Sequence, residues 1–81
     1  MNRDCGPRLR LLVAETLRIP VESIVDTLDM QATGTWDSLS HMELIGAIED
    51  AFGVDLTANE IIAMTSVARI ADVLRAKSVD L

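Results

Sequence analysis

The chain has one cysteine, two prolines, no tyrosine and only two aromatic residues, Trp36 and Phe52, in 81 positions. A lone Cys5 excludes an intramolecular disulfide, the usual prop of small secreted domains, and its place near the start of the chain makes it incidental. With aromatics at 2%, the core must be built from Leu, Ile, Val, Met and Ala, a palette that suits helices better than a sheet. No apolar run is long enough to span a membrane or to form the core of a signal peptide, so a cytoplasmic protein that makes no use of a membrane is expected. One histidine, one cysteine and scattered carboxylates form no ligand spacing, so no metal is expected, and there is no Gly-rich phosphate loop.

Positive charge is missing from the middle of the chain. Between Ile19 and Ala68 there is no Lys or Arg, while Glu22, Asp26, Asp29, Asp37, Glu43, Glu49, Asp50, Asp55 and Glu60 all fall there. The seven basic residues lie outside this span, and the net charge is −6. Such a balance argues against nucleic acid as a partner. Solubility alone does not require one sign to be excluded from a whole region, so the pattern reads as a field that attracts basic partners.

What is present is hydrophobic content of 49%, enough for a folded domain, in a length that fits a single one, and a monomer is expected. Periodicity predicts an all-α fold: three main helices and one short helix, with a long loop between the first and second. Residues 1–81 form one domain in this reading, with an ordered bundle over about 7–77 and loose tails of six and four residues. The first helix starts at Pro7, where a missing N–H is harmless, and stops near Leu17 or Arg18 ahead of Pro20. From Ile19 to Trp36 runs a connection held by Val21, Ile24, Val25, Leu28 and Met30, with a turn of helix near Glu22 to Ile24. Trp36 pins its end. The second helix starts at Asp37 or Ser38 and stops at Gly53. A capping box over Thr57-Ala58-Asn59-Glu60 opens a short helix to about Ala63. Ser66 caps the last helix, which ends near Ala76 or Lys77. The expected core is Leu9, Leu12, Val13, Leu17, Leu44, Ile45, Ile48, Phe52, Val54, Ile61, Ile62, Val67, Ile70 and Leu74, with Ala51 on the same face of the second helix.

That second helix organises the rest. Its other face carries Leu39, Met42, Glu43, Gly46 and Asp50, a mixture of apolar and acidic residues that suits partner docking: apolar area for affinity, charge for orientation. Ser38 stands at its N-terminus, where an attached anion would meet the positive end of the helix dipole. Asp37, Ser38 and His41 are also the residue types of a catalytic triad, but the acid adjoins the serine instead of lying beyond the imidazole, and nothing builds an oxyanion hole. His41 is expected to pack on the core side near Ser38, with contact to an attached phosphate as a secondary role.

The Asp37-Ser38-Leu39 triplet opening a helix, followed by Met42-Glu43-Leu44 and Phe52-Gly53 in a short acidic chain, resembles the acyl carrier proteins. The resemblance covers nearly the whole chain. It departs from the frequent Leu-Gly-x-Asp-Ser-Leu pattern, since Gly34 lies three residues before Asp37 and Trp36 directly precedes it. Trp36-Asp37-Ser38-Leu39-x-His41 is similar to stand-alone carriers of bacterial secondary metabolism, and departs from the Gly-Gly-(His or Asp)-Ser context of peptidyl carriers. The resemblance implies a non-catalytic carrier. Ser38 would hold a covalent 4′-phosphopantetheine arm, donated by CoA, whose thiol carries acyl intermediates in polyketide, fatty acid or related synthesis. It implies a long loop between the first two helices, and as partners a phosphopantetheinyl transferase and acyl-processing enzymes with basic docking surfaces. These would meet Asp37, Leu39, Met42, Glu43, Gly46 and Asp50. An acyl chain would lie between the second and third helices, against Ile45, Ile48, Ile61, Ile62 and Met64. Two other readings remain: an unmodified acidic adaptor that binds basic partner helices, and a hydrolase.

Overall fold

A computed structural model of the protein describes residues 6–79. Four α-helices follow in order: α1 (Pro7–Leu17), α2 (Ser38–Phe52), α3 (Ala58–Ala63) and α4 (Val67–Ala76), with a single 3₁₀ turn at Val21–Ser23 between α1 and α2. There is no strand among the described residues, only an isolated bridge between Asp29 and Ser66. No described helix is long and apolar enough to cross a membrane. The expected tails at residues 1–5 and 80–81, Cys5 included, lie outside the described residues. Ser78 and Val79 correct that expectation at the other end. Their amides bond to the carbonyls of Arg75 and Leu74, and Val79 packs against the core.

Local chemistry sets each boundary. Pro7 opens α1, and Arg18 closes it in a left-handed conformation (φ 61°), its amide bonded to the Ala14 carbonyl. Gly53 ends α2 in the same region (φ 66°), where a residue without Cβ is least strained. The capping box forms in full: the Thr57 amide donates to Glu60 Oε1 at 2.9 Å, and the Glu60 amide to Thr57 Oγ1 at 3.2 Å. Ser66 Oγ accepts from the Arg69 amide at 3.2 Å and caps α4.

The core joins Leu9, Val13, Ala14 and Leu17 of α1, Leu44, Ile45 and Ile48 of α2, and Val67, Ile70, Ala71 and Leu74 of α4. Met64, Ile24 and Trp36 complete it from the connections. Three expectations about packing need correction. Ile62 is 72% exposed, because α3 is six residues long and turns only Ile61 inward; Ile62 is one step, about 100°, further round. Ala51 is exposed, and Phe52, like Leu12, Val54 and Ile61, is half-buried against the core and not fully inside it. At the end of α2 the Arg8 guanidinium sits 4.6 Å from the Phe52 ring centroid and donates to the Ala51 carbonyl at 3.2 Å. That places a cation on the negative end of α2 and over an aromatic face.

The third correction concerns the long loop. Val21 and Val25 are exposed, so apolar side chains alone do not hold it. Ile24 is buried, Leu28 and Met30 are half-buried, and hydrogen bonds do the rest. Arg10 of α1 donates to the carbonyls of Val21 and Ile24. The Met30 amide donates to the Thr65 carbonyl at 2.9 Å. The amides of Val67 and Ala68 donate to the carbonyls of Leu28 and Asp26 at 2.9 and 3.1 Å. These two amides are among the orphan donors at the start of α4, so the loop caps one helix while leading into another.

Candidate functional site

Ser38 is the first residue of α2 and is exposed. It is not the cap. Asp37 is, in extended conformation, with Oδ1 accepting from the Ser40 amide at 2.9 Å. The serine hydroxyl is thereby free of a structural duty while standing at the positive end of a 15-residue helix. The Ser40 amide, and after it the Ser40 hydroxyl, hold the Asp37 carboxyl below its ordinary value of 3.8. Its folded-state pKa is depressed, so the cap's contribution is complete above the ordinary carboxylate range and is lost as pH falls through 3.8 and below. Asn caps equally well without titrating. Thermal unfolding between about pH 3 and 7 should therefore show a shallower acid loss for Asp37→Asn than for wild type. Equal slopes would mean that Asp37 is not the titrating cap.

The residues expected to meet partners share one exposed face, as the helical period predicts. Leu39 (71% exposed), Met42 (55%), Glu43, Gly46 and Asp50 are all exposed on α2. A Cβ on Gly46 would meet nothing within 4 Å. Sequence reading missed the opposing wall. A groove of about 350 Å³ beside Ser38 is lined by Asp37, Leu39, Ser40 and Glu43 on one side and by Thr16, Leu17, Arg18 and Thr35 on the other. The latter come from the end of α1 and the end of the loop, and no local pattern links them to Ser38.

Of the residues expected to line an acyl cleft, Ile45, Ile48 and Met64 are fully packed, Ile61 is half-buried and Ile62 faces outward. His41, the only buried polar residue described, lies at their edge. Trp36, 1% exposed, donates its indole N–H to His41 Nδ1 at 3.0 Å, and His41 Nε2 is 2.9 Å from the Ile61 carbonyl oxygen. An indole can only donate, so Nδ1 is the acceptor; the imidazole is neutral, with its proton on Nε2 donated to Ile61. The sequence placed Trp36 as a pin and His41 on the core side, and both are there. It did not reveal that they bond to each other and to α3. With both ring nitrogens committed inward and Asp37 bonded to Ser40, the three triad residue types do not form a triad.

An acidic helical bundle with an exposed serine leading its central helix defines a class that comparison with known proteins identifies. The family model described as "Phosphopantetheine attachment site" matches residues 7–74. The acyl carrier protein of Saccharopolyspora erythraea is 29% identical over 69 residues, covering 85% of this chain and 73% of that protein. The chain belongs to the phosphopantetheine attachment-site family, that of the acyl carrier proteins. Carriers of this family are in general not themselves catalysts, and their role implies interaction with a phosphopantetheinyl transferase and acyl-processing enzymes. The donor set fits the cofactor: an accessible hydroxyl to esterify, and a helix N-terminus to receive the phosphodiester.

Proposed function

We propose that Ser38 is the attachment serine and that the chain is a single-domain, monomeric, non-catalytic carrier. The arm on Ser38 would hold acyl groups as thioesters and present them to enzymes of polyketide, fatty acid or related small-molecule synthesis. One observation carries this reading: within the Asp37-Ser38-Leu39 triplet, the capping role falls to Asp37 and the hydroxyl of Ser38 is left exposed at the head of α2. The arm supplies the thiol when attached; the chain supplies the anchoring hydroxyl, the helix terminus and the docking face. Intact mass before and after incubation with CoA, Mg²⁺ and a broad-specificity transferase tests it. One added phosphopantetheine, localised to Ser38 by fragmentation, is expected. A folded chain that no transferase modifies would favour the adaptor reading.

Asp37, Leu39, Met42, Glu43, Gly46 and Asp50 form the docking face in this reading. Exposed charge pairs are individually weak, so single neutralisations should change little. Steering acts through the summed field, and Glu43→Lys combined with Asp50→Lys should slow transferase association several-fold at low salt. The wild-type rate should also fall as salt rises. Leu39→Ala should chiefly speed dissociation, since it removes packing and leaves the field intact. An unchanged low-salt rate for the folded double reversal would place docking elsewhere.

A further inference from the structure

We propose that the Trp36–His41–Ile61 hydrogen-bonded chain is a latch that holds the seam between α2 and α3 shut, so that this carrier keeps long acyl chains out and handles short or polar ones. The inference rests on the carrier reading of Ser38. Ser38, His41, Ile45 and Ile48 follow at i, i+3, i+7 and i+10 along one face of α2. A chain entering from Ser38 toward the apolar interior at Ile45, Ile48 and Met64 must pass His41. There the ring bonds to the carbonyl of Ile61, in α3, and closes the way.

The element that would have to move is α3. It is six residues long and contributes no fully buried residue of its own. Besides the His41 bond, a Lys77–Glu60 ion pair at 3.1 Å ties it to the end of α4. Trp36 acts through His41. By donating to Nδ1 it fixes the proton on Nε2, the tautomer that can donate to the Ile61 carbonyl. Without the indole donor the ring is free to take the other tautomer, which turns an acceptor toward that carbonyl and opens the latch. Trp36 and His41 are thus positioning residues, and neither touches the reacting thioester.

The test loads butyryl and octanoyl groups onto wild type, Trp36→Phe and His41→Leu from the corresponding acyl-CoA, and measures thioester cleavage by hydroxylamine together with methyl chemical shifts. Wild type should release both groups at the same rate, with shifts confined to the surroundings of Ser38. Loss of one net hydrogen bond shifts a closed–open balance by roughly five-fold, and from a wild type that shields neither chain this should slow octanoyl release relative to butyryl by up to about two-fold in both variants. New octanoyl-dependent shifts should appear at Ile48 and Met64. A general loss of packing would change both rates alike. Trp36→Phe keeps an aromatic side chain at this buried position and removes the indole donor along with some volume, so it decides the matter if His41→Leu does not fold. Wild type that already shields octanoyl, or a folded Trp36→Phe that treats both chains alike, overturns the latch alone. Absence of loading in the mass spectrum overturns the carrier reading and the latch with it.

Discussion

Ser38→Ala should accept no phosphopantetheine and remain folded. Removing the hydroxyl removes the nucleophile that would take the phosphoryl group, and no neighbouring side chain can replace it in place. Ser40 is two residues on and half-buried, and its amide is bound to Asp37. The expected effect is a complete loss of the mass shift. Stability should hardly change, because the cap that would cost about 1 kcal/mol to remove is Asp37, not Ser38. Circular dichroism and urea unfolding separate the two claims. A modified Ser38→Ala protein would show that the arm is attached elsewhere; an unfolded one would show that Ser38 supports α2 in a way that its exposed position does not suggest.

Trp36→Ala is the second large effect, and it bears on stability. Trp36 is among the largest fully buried side chains, and it closes the loop, covers the start of α2 and donates to His41. Truncating a buried Trp costs about 3–5 kcal/mol. A chain of this size has roughly 4–12 kcal/mol in total, at about 0.05–0.15 kcal/mol per residue. The variant should therefore lie near the edge of folding. Phe52→Ala should cost clearly less, since Phe52 is half-buried and its ring is partly covered by Arg8. Composition alone would rank them the other way, because the apolar stripe of α2 places Phe52 in the core and puts Trp36 in a loop. Urea unfolding followed by circular dichroism compares the two. A loss below about 1 kcal/mol for Trp36→Ala would mean that the loop is held by its hydrogen bonds alone.

Helix boundaries and the serine were legible along the chain because their causes are local. Pro7, Asp37, Thr57 with Glu60, Ser66 and Gly53 act within a few residues of themselves, and each does what its type predicts. The exposed face of α2 was legible for the same reason: a helix repeats its own geometry, so Leu39, Met42, Glu43, Gly46 and Asp50 must share a side wherever the helix lies. Ile62 shows the limit of that reasoning. In a six-residue helix an Ile-Ile pair gives no period from which to choose which of the two points inward, and only packing against the core decides for Ile61.

Contacts between residues distant in sequence were decided by the tertiary structure alone. Arg10 looks like a solvated helix charge until α1 is laid against the loop, where it bonds to the Val21 and Ile24 carbonyls. The wall of Thr16, Arg18 and Thr35 opposite Glu43 exists only because the end of α1 and the end of the loop meet beside the start of α2. His41 is the clearest case. Its position on α2 turns it to the core side, but what it bonds there depends on a donor five residues earlier and an acceptor twenty residues later, which arrive together only when the loop and α3 pack. The sequence by itself determined the helices, their caps, the acidic face and the exposed serine, all of which follow from short-range geometry. The folded chain decided which polar groups meet, because burial compels each of them to find a partner wherever the packing brings one within reach.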